Sequence, residues 1–294
     1  MTKYAIGIDG GGTSCRAAVA DATGRILGRG KAGPANIMSD RTMALENIVA
    51  SSRSALENAG IDPSCLERST AVLGVAGANV GPHGSLIREA LPFAKAEVVT
   101  DQLIALQGAL GPSDGVVASF GTGSVYGARR HGKVTEIGGW GFVVGDQASG
   151  SRLGRDLLEL TLLSHDGVCA PTPLTRTVMA AFSDNPQNVV EFAHNATPGD
   201  FSRYAPQVFD HAAAGDAIAT RIVRQAASDI DNSLDALLWP DCTTVCLLGG
   251  LALAYRAWLS TAHQALLVDP LGDALQGAVS FAVALAWKDE RRSA

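Results

Sequence analysis

A chain of 294 residues has room for about two domains, and its 47% hydrophobic and 18% charged residues exclude a disordered polymer. Twenty-three Lys and Arg against 29 Asp and Glu leave a net charge of -6, which does not favour a protein that tracks nucleic-acid phosphates. The longest apolar run near the C-terminus, 278–287, is about half of the ~20 residues that a membrane span requires.

The chain opens with Met1-Thr2-Lys3-Tyr4-Ala5-Ile6 and enters a strand without the apolar core and cleavage site of a leader. A cytoplasmic protein with no membrane partner is expected. Alternating Tyr4, Ile6 and Ile8 predict a strand over 4–9, followed by a tight turn at Gly10-Gly11-Gly12. A second strand returns over 16–21 and a third covers 26–30. Around Asp40 a helix begins, with Leu45, Ile48, Val49, Leu56 and Ala59 on one face, and Gly60 is its natural stop. A strand over 71–75, a helix over 83–91, a strand over 97–100 and a helix starting after Asp101 complete the order βββαβαβα.

The order then begins again, with a strand over 115–120, a turn at Gly121-Thr122-Gly123-Ser124, and strands over 125–130 and 133–137. A long helix over 216–238, a strand over 245–248 and a helix over 251–263 follow, then a strand over 265–268 and a closing helix over 273–287. Two related α/β domains, 1–111 and 112–294, with a cleft between them fit this repetition. The last helix could pack back on the first domain. Residues 167–215 hold five of the twelve prolines and three predicted short helices, and read as an insertion. A cap and an oligomer contact, a homodimer included, are both open to it.

The five cysteines, Cys15, Cys65, Cys169, Cys242 and Cys246, are odd in number and scattered, as structural thiols are. The chemistry lies elsewhere, in Asp9-Gly10-Gly11-Gly12-Thr13-Ser14. Glycines leave backbone N–H groups unshielded, so phosphate oxygens can approach them. Thr13 and Ser14 add hydroxyl donors, and Asp9 could hold Mg²⁺ through water, because that cation keeps much of its hydration shell. For a single glycine, a hairpin turn that needs positive φ would be the plainer explanation. Three glycines between Asp and Thr favour phosphate. Gly121-Thr122-Gly123-Ser124 stands at the matching turn of the second half, and two such turns across a cleft could grip the β- and γ-phosphates. Neither G-x-x-x-x-G-K-[ST] nor G-x-G-x-x-G between strand and helix occurs, so a nucleotide would be held another way.

Together these motifs resemble, over nearly the whole chain, the superfamily of sugar kinases, heat-shock ATPases and actin, and within it the N-acetylglucosamine kinase and BadF/BadG group. Gly7-Ile8-Asp9-Gly10-Gly11-Gly12-Thr13 is similar to the family's first phosphate motif and Gly121-Thr122-Gly123-Ser124 to its second. Leu248-Gly249-Gly250-Leu251-Ala252 resembles the adenosine motif, and Val99-Thr100-Asp101 the strand end that carries the catalytic aspartate. Residues 10–16, Ala35-Asn36-Ile37-Met38, Asp146-Gln147-Ala148-Ser149-Gly150, 270–278 and parts of the insertion resemble the proteobacterial glucosamine kinases in particular.

The resemblance implies two ribonuclease-H-like, actin-like ATPase domains around a nucleotide cleft, with ATP and Mg²⁺ as cofactors. ATP would lie on Gly10, Gly11, Gly12, Thr13, Ser14, Gly121, Thr122, Gly123, Ser124, Gly249 and Gly250. The amino sugar would touch Asn36, Asp101, Gly139 and Asp146. Asp101, at the carboxyl end of a strand, would take the proton of the attacking hydroxyl; Asp is also a good helix N-cap. Trp140 is expected to pack rather than to stack on a sugar. The glutamate and glycine common after the aspartate matching Asp146 are Gln147 and Ala148 here. The reaction expected is phosphorylation of the 6-hydroxyl of glucosamine, with N-acetylglucosamine as the alternative acceptor. A more distant alternative, an ATPase activator of acyl-CoA dehydratases or reductases, needs cysteines for a bridging iron–sulfur cluster, and no cluster-like pair lies near the expected place.

Overall fold

The computed structural model describes residues 4–37, 40–75, 78 and 83–288; Met38, the last residue of the Asn36 motif, lies outside them. Alternation builds the first sheet. In β1 (Ala5–Gly10), Ile6 and Ile8 enter one core while Ala5 enters another, the period of two of a strand covered on both faces. β2 (Cys15–Ala20) repeats the pattern, with Cys15, Ala17 and Val19 on the first side and Ala18 and Ala20 on the second. With β3 (Ile26–Ala32) these strands form an antiparallel meander. β4 (Thr70–Val75) and β5 (Lys95–Val99) join in parallel, giving the order β3-β2-β1-β4-β5.

Helix α1 (Arg41–Asn58) covers one face of that sheet, and Asp40 caps it by accepting the Met43 N–H at 2.9 Å. Its buried seam is Ala44, Ile48, Ser51, Ser52, Ala55 and Leu56, while Leu45 and Val49 are only half-buried. The seam is small because Gly28 and Gly30 lie directly beneath the Ala55 and Ser51 carbonyls. Larger side chains would not fit there. Helices α2 (His83–Ala90) and α3 (Asp101–Leu110) follow in the expected order.

The second sheet runs β8-β7-β6-β9, from β6 (Gly115–Phe120), β7 (Ser124–Arg130), β8 (Lys133–Gly138) and β9 (Val245–Leu248). Between β8 and β9 lie α4 (Gly150–His165) and α5 (Pro173–Ala181), then α6 (Pro186–Asn195), α7 (Pro198–Ser202), α8 (Ala205–Ala213) and α9 (Ala217–Leu237). The insertion thus has four helices instead of three. Each of α5 to α8 carries Pro in its first two positions, where the missing N–H costs no helical bond.

Two further expectations are corrected. The helix over 251–263 is broken into α10 (Ala252–Tyr255) and α11 (Thr261–Gln264). Ser260 interrupts it: its N–H donates to the Asp231 carboxylate at 3.0 Å, and its hydroxyl caps α11. The strand over 265–268 is reduced to one bridge, Val245 with Leu267, and Pro270 soon after lacks the N–H to extend pairing.

The closing helix α12 (Ala274–Ala286) lies on the Ala5 and Ala18 side of the first sheet, close enough that a Cβ on Gly7 would overlap the Val279 backbone. By contact density the chain falls into two units. The first runs through Asp114 and takes in Arg129–Val134 and the chain from Asp269; the second is Gly115–Ala128 with Thr135–Val268. No helix among the described residues is long and apolar enough to cross a membrane.

Candidate active site

In the first unit, β1, β4 and β5 are parallel and end on one edge, the edge where open α/β sheets place ligands. Asp9 and Gly10 close β1 there, and Asp101 opens α3 just past β5. Two strand spacings separate those ends, about 10 Å. Thr100, not Asp101, caps α3: its Oγ1 accepts the Leu103 N–H at 3.1 Å. Asp101 is the first helical residue, and its Oδ1 accepts the Gln102 N–H at 2.9 Å. The cap is therefore already supplied without Asp101. Asn36 is tied to the glycine loop through its neighbour, since the Ala35 N–H donates to the Gly11 carbonyl at 2.9 Å.

Gly10, Gly11 and Gly12 do not have the positive φ that the hairpin explanation requires. Gly10 is demanded by packing, because a Cβ there would stand 2.8 Å from Val75 Cγ1 and 3.1 Å from the Ala35 Cβ. Among the described residues, a Cβ on Gly11 would meet only the Ser14 carbonyl, at 3.6 Å, and one on Gly12 would meet nothing within 4 Å. The Gly11 N–H donates to the Ser14 carbonyl at 3.0 Å, and no hydrogen bond among the described residues uses the N–H of Gly12, Thr13 or Ser14. Nothing among the described residues requires glycine at 11 and 12.

Asp9 faces Arg16 across the hairpin, as their pairing in the β1–β2 register dictates. Arg16 Nη2 and Nε both donate to Asp9 Oδ2, at 2.5 and 3.2 Å, which leaves Oδ1 outside the fork. No group of three or more His, Cys, Asp or Glu among the described residues could hold a metal ion. A lone carboxylate oxygen suits Mg²⁺ that keeps its waters and binds substrate phosphates, and not a cation that needs a full protein cage.

The second unit repeats the arrangement. β6 and β9 are parallel, so Gly121 and Gly249 follow strand ends on one edge. Gly249, at φ 89°, lies against the Phe120 backbone too closely for any Cβ, whereas Gly121 and Gly250 have open space around them. Gly121 and Thr122 offer their carbonyls to the Gly150 and Ser151 N–H groups, at 2.8 and 3.2 Å. The loop is thus pinned to the start of α4. Gly139 donates its N–H to the Ser124 carbonyl at 3.1 Å.

Asp146 also sits against this loop. At φ 58° and 8% exposed, it accepts the Ser124 N–H on Oδ1 at 3.4 Å, and a Cβ on Gly123 would stand 3.1 Å from its Oδ2. Burial raises its carboxyl above the ordinary value, and the Ser124 N–H offsets this only in part. Ala148 is likewise left-handed, at φ 63°, and is held by the Tyr255 hydroxyl, which donates to its carbonyl at 2.7 Å. Trp140 does not pack as expected. Flanked by Gly139 and Gly141, both at positive φ, it is 75% exposed.

Sequence reasoning missed Arg16 and the contact between Asp146 and the second loop. The signal for Arg16 was there: a four-residue turn at 11–14 pairs residue 9 with residue 16.

The chain matches the BadF/BadG/BcrA/BcrD ATPase family over residues 6–282. It is 36% identical over 281 residues to a glucosamine kinase of Vibrio cholerae, covering 95% of this chain and 96% of that one. An N-acetylmuramic acid/N-acetylglucosamine kinase of Clostridium acetobutylicum is 27% identical over 80% of this chain and 79% of its own length. Among solved structures, a protein of Chromobacterium violaceum provisionally named an N-acetylglucosamine kinase superposes with a TM-score of 0.88 at 32% identity, covering 96% of this chain and 99% of the other. A glucokinase of Streptomyces griseus shares the fold at a TM-score of 0.56 and 18% identity. The chain belongs to the BadF/BadG/BcrA/BcrD ATPase family and has its actin-like, two-domain α/β fold.

Proposed function

We propose that this protein is an amino-sugar kinase that transfers the γ-phosphoryl group of ATP to the 6-hydroxyl of glucosamine. Nucleotide use follows from the ATPase family, and the amino sugar from relatives named as glucosamine and N-acetylglucosamine kinases. The observation that carries the reading is the set of open glycines at 11, 12, 121 and 250, which no packing contact with the described residues and no positive φ explains. Phosphate and nucleoside approaching the backbone would account for them.

Asp101 acts as the general base. As the sugar oxygen bonds to the γ-phosphorus, its proton passes to the Asp101 carboxylate, the β–γ bridging P–O bond breaks, and ADP leaves. The Gly12, Thr13 and Ser14 N–H groups are the phosphate donors of the first unit, and the Gly121 loop is the phosphate loop of the second. Asp9, through Oδ1 and a water, would hold Mg²⁺, which neutralises charge developing on the phosphate oxygens. Asn36 and Gly139 orient the sugar hydroxyls. The cationic amine of glucosamine favours the ionised form of Asp146, which burial otherwise disfavours; an N-acetyl group brings no such charge.

ADP release coupled to an optical readout, with glucosamine, N-acetylglucosamine, glucose and no sugar, tests this. Release is expected to be much faster with glucosamine. Preference for the N-acetyl form would keep the mechanism and overturn the substrate. Equal rates with every sugar and with none would remove the kinase reading.

A further inference from the structure

Arg16 does more than neutralise Asp9. Its third nitrogen, Nη1, donates to Asp273 Oδ2 at 2.8 Å, 257 residues further along the chain, so one guanidinium spans two carboxylates from opposite ends of the sequence. Asp273 is the N-cap of α12, and its other oxygen, Oδ1, accepts the Gln276 N–H at 2.9 Å in a capping box. Helix α12 in turn presses on α3: a Cβ on Gly108 would overlap the Asp273 carbonyl, and one on Gly277 would overlap the Ile104 carbonyl. The Leu271 N–H adds a bond to the Ala109 carbonyl at 3.0 Å. The path runs from Asp9 through Arg16 and Asp273 to α3, whose first residue is Asp101.

We propose that Arg16 is a positioning residue, which fixes the Asp9 carboxylate relative to the helix that carries Asp101. The inference rests on the kinase reading, in which Asp9 serves the metal–phosphate end of the reaction and Asp101 the hydroxyl end. The planar fork is what the position needs, because a lysine ammonium cannot reproduce three N–H directions fixed in one plane. Stability is not the main purpose of the bridge. With Arg16 and Asp273 side chains 40% and 42% exposed, the pair is well solvated and adds little to folding. The device works inside the first unit alone, so it needs no partner group from elsewhere in the chain.

The test compares Asp9→Asn, Arg16→Lys, Arg16→Met and Asp273→Asn with the parent. Asp273→Asn keeps the cap, since Asn is as good an N-cap as Asp, and removes the charge that Arg16 grips. Two readings are taken: kcat with glucosamine, and ADP binding by calorimetry over a magnesium series. Arg16→Lys, Arg16→Met and Asp273→Asn should each lower kcat about tenfold or more, the size expected for misplaced reacting groups. In each, more magnesium should be needed for half-maximal ADP affinity, while the melting temperature moves little. The double variant Arg16→Met/Asp273→Asn should be no worse than Arg16→Met, because both remove the same bridge. A magnesium dependence altered by Asp9→Asn but equal to the parent's in the other variants overturns the inference and leaves the kinase reading standing. No change in any of them, Asp9→Asn included, overturns the inference together with the metal role of Asp9, whereas the kinase reading falls only where ADP release is equal with every sugar and with none.

Discussion

Replacing Gly12 with Ala separates the fold's needs from the ligand's. No described residue lies within 4 Å of the added methyl, and the residue is not in the positive-φ region. Folding should therefore gain rather than lose. Gly to Ala at a compatible site stabilises by about 0.4–1 kcal/mol through the unfolded chain, or about 1–4 °C in melting temperature. Nucleotide binding should move the other way, because the methyl occupies the space through which a phosphate oxygen reaches the Gly12 and Thr13 N–H groups. Losing one charge-assisted bond of that kind costs about 1.5–3 kcal/mol, which is about ten- to a hundredfold in Kd. Gly10→Ala makes the control. Its methyl meets Val75 at 2.8 Å, and overpacking of that sort costs about 1–3 kcal/mol in stability. Calorimetric titration of ADP with magnesium, beside thermal melts of the three proteins, reads both effects. A Gly12→Ala protein that binds ADP within about twofold of the parent would refute the phosphate role of the loop, and one that melts well below the parent would refute the steric argument.

Two other substitutions test the remaining carboxylates. Asp101→Asn should lower turnover by about 10²–10⁴-fold, the usual worth of a general base, with an unchanged melting temperature because Thr100 supplies the cap; Thr100→Ala should instead lose about 0.5–2 kcal/mol of stability. Turnover within a few-fold of the parent in Asp101→Asn would exclude it as the base. For Asp146 the folded carboxyl lies above its ordinary value of 3.8, so the folded chain binds the extra proton and stability falls as pH rises through the window above that value. Asp146→Asn, which tolerates positive φ, should therefore melt at or above the parent near neutral pH and lose that pH dependence, while kcat/KM with glucosamine drops about ten- to a hundredfold. A variant that melts lower at pH 7 and keeps its activity would show that the carboxylate is structural.

The strands were readable because their burial alternates in sequence: Ile6 and Ile8 against Ala5, Ala17 and Val19 against Ala18. The insertion's helices were half readable: three were expected where four form, each with a proline in its first two positions. What escaped reading depends on distant partners. No local pattern tells that α10 will stop at Tyr255 and that Ser260, its N–H given to Asp231, will start a separate α11 where the apolar periodicity continues. Likewise, α1 buries Ser51 and Ala55 rather than Val49 because β3 offers glycines beneath them, a match between elements more than twenty residues apart.

The site shows the same division in sharper form. Glycine-rich motifs marked the candidate phosphate loops, but a motif does not say which of its glycines serves the chain and which would serve a ligand. Coordinates make that distinction. Gly10 and Gly249 are fixed by Val75 and Phe120, and Gly123 stands tight against the Asp146 side chain, so each of the three loops has one glycine that the protein's own packing holds close. Beside each stands another, Gly12, Gly250 or Gly121, that meets no neighbour among the described residues. A loop shaped only by its own packing would tolerate alanine at the second kind of position, where alanine would also fold better. Glycine at every one of them therefore points to something outside the chain that must come close to the backbone.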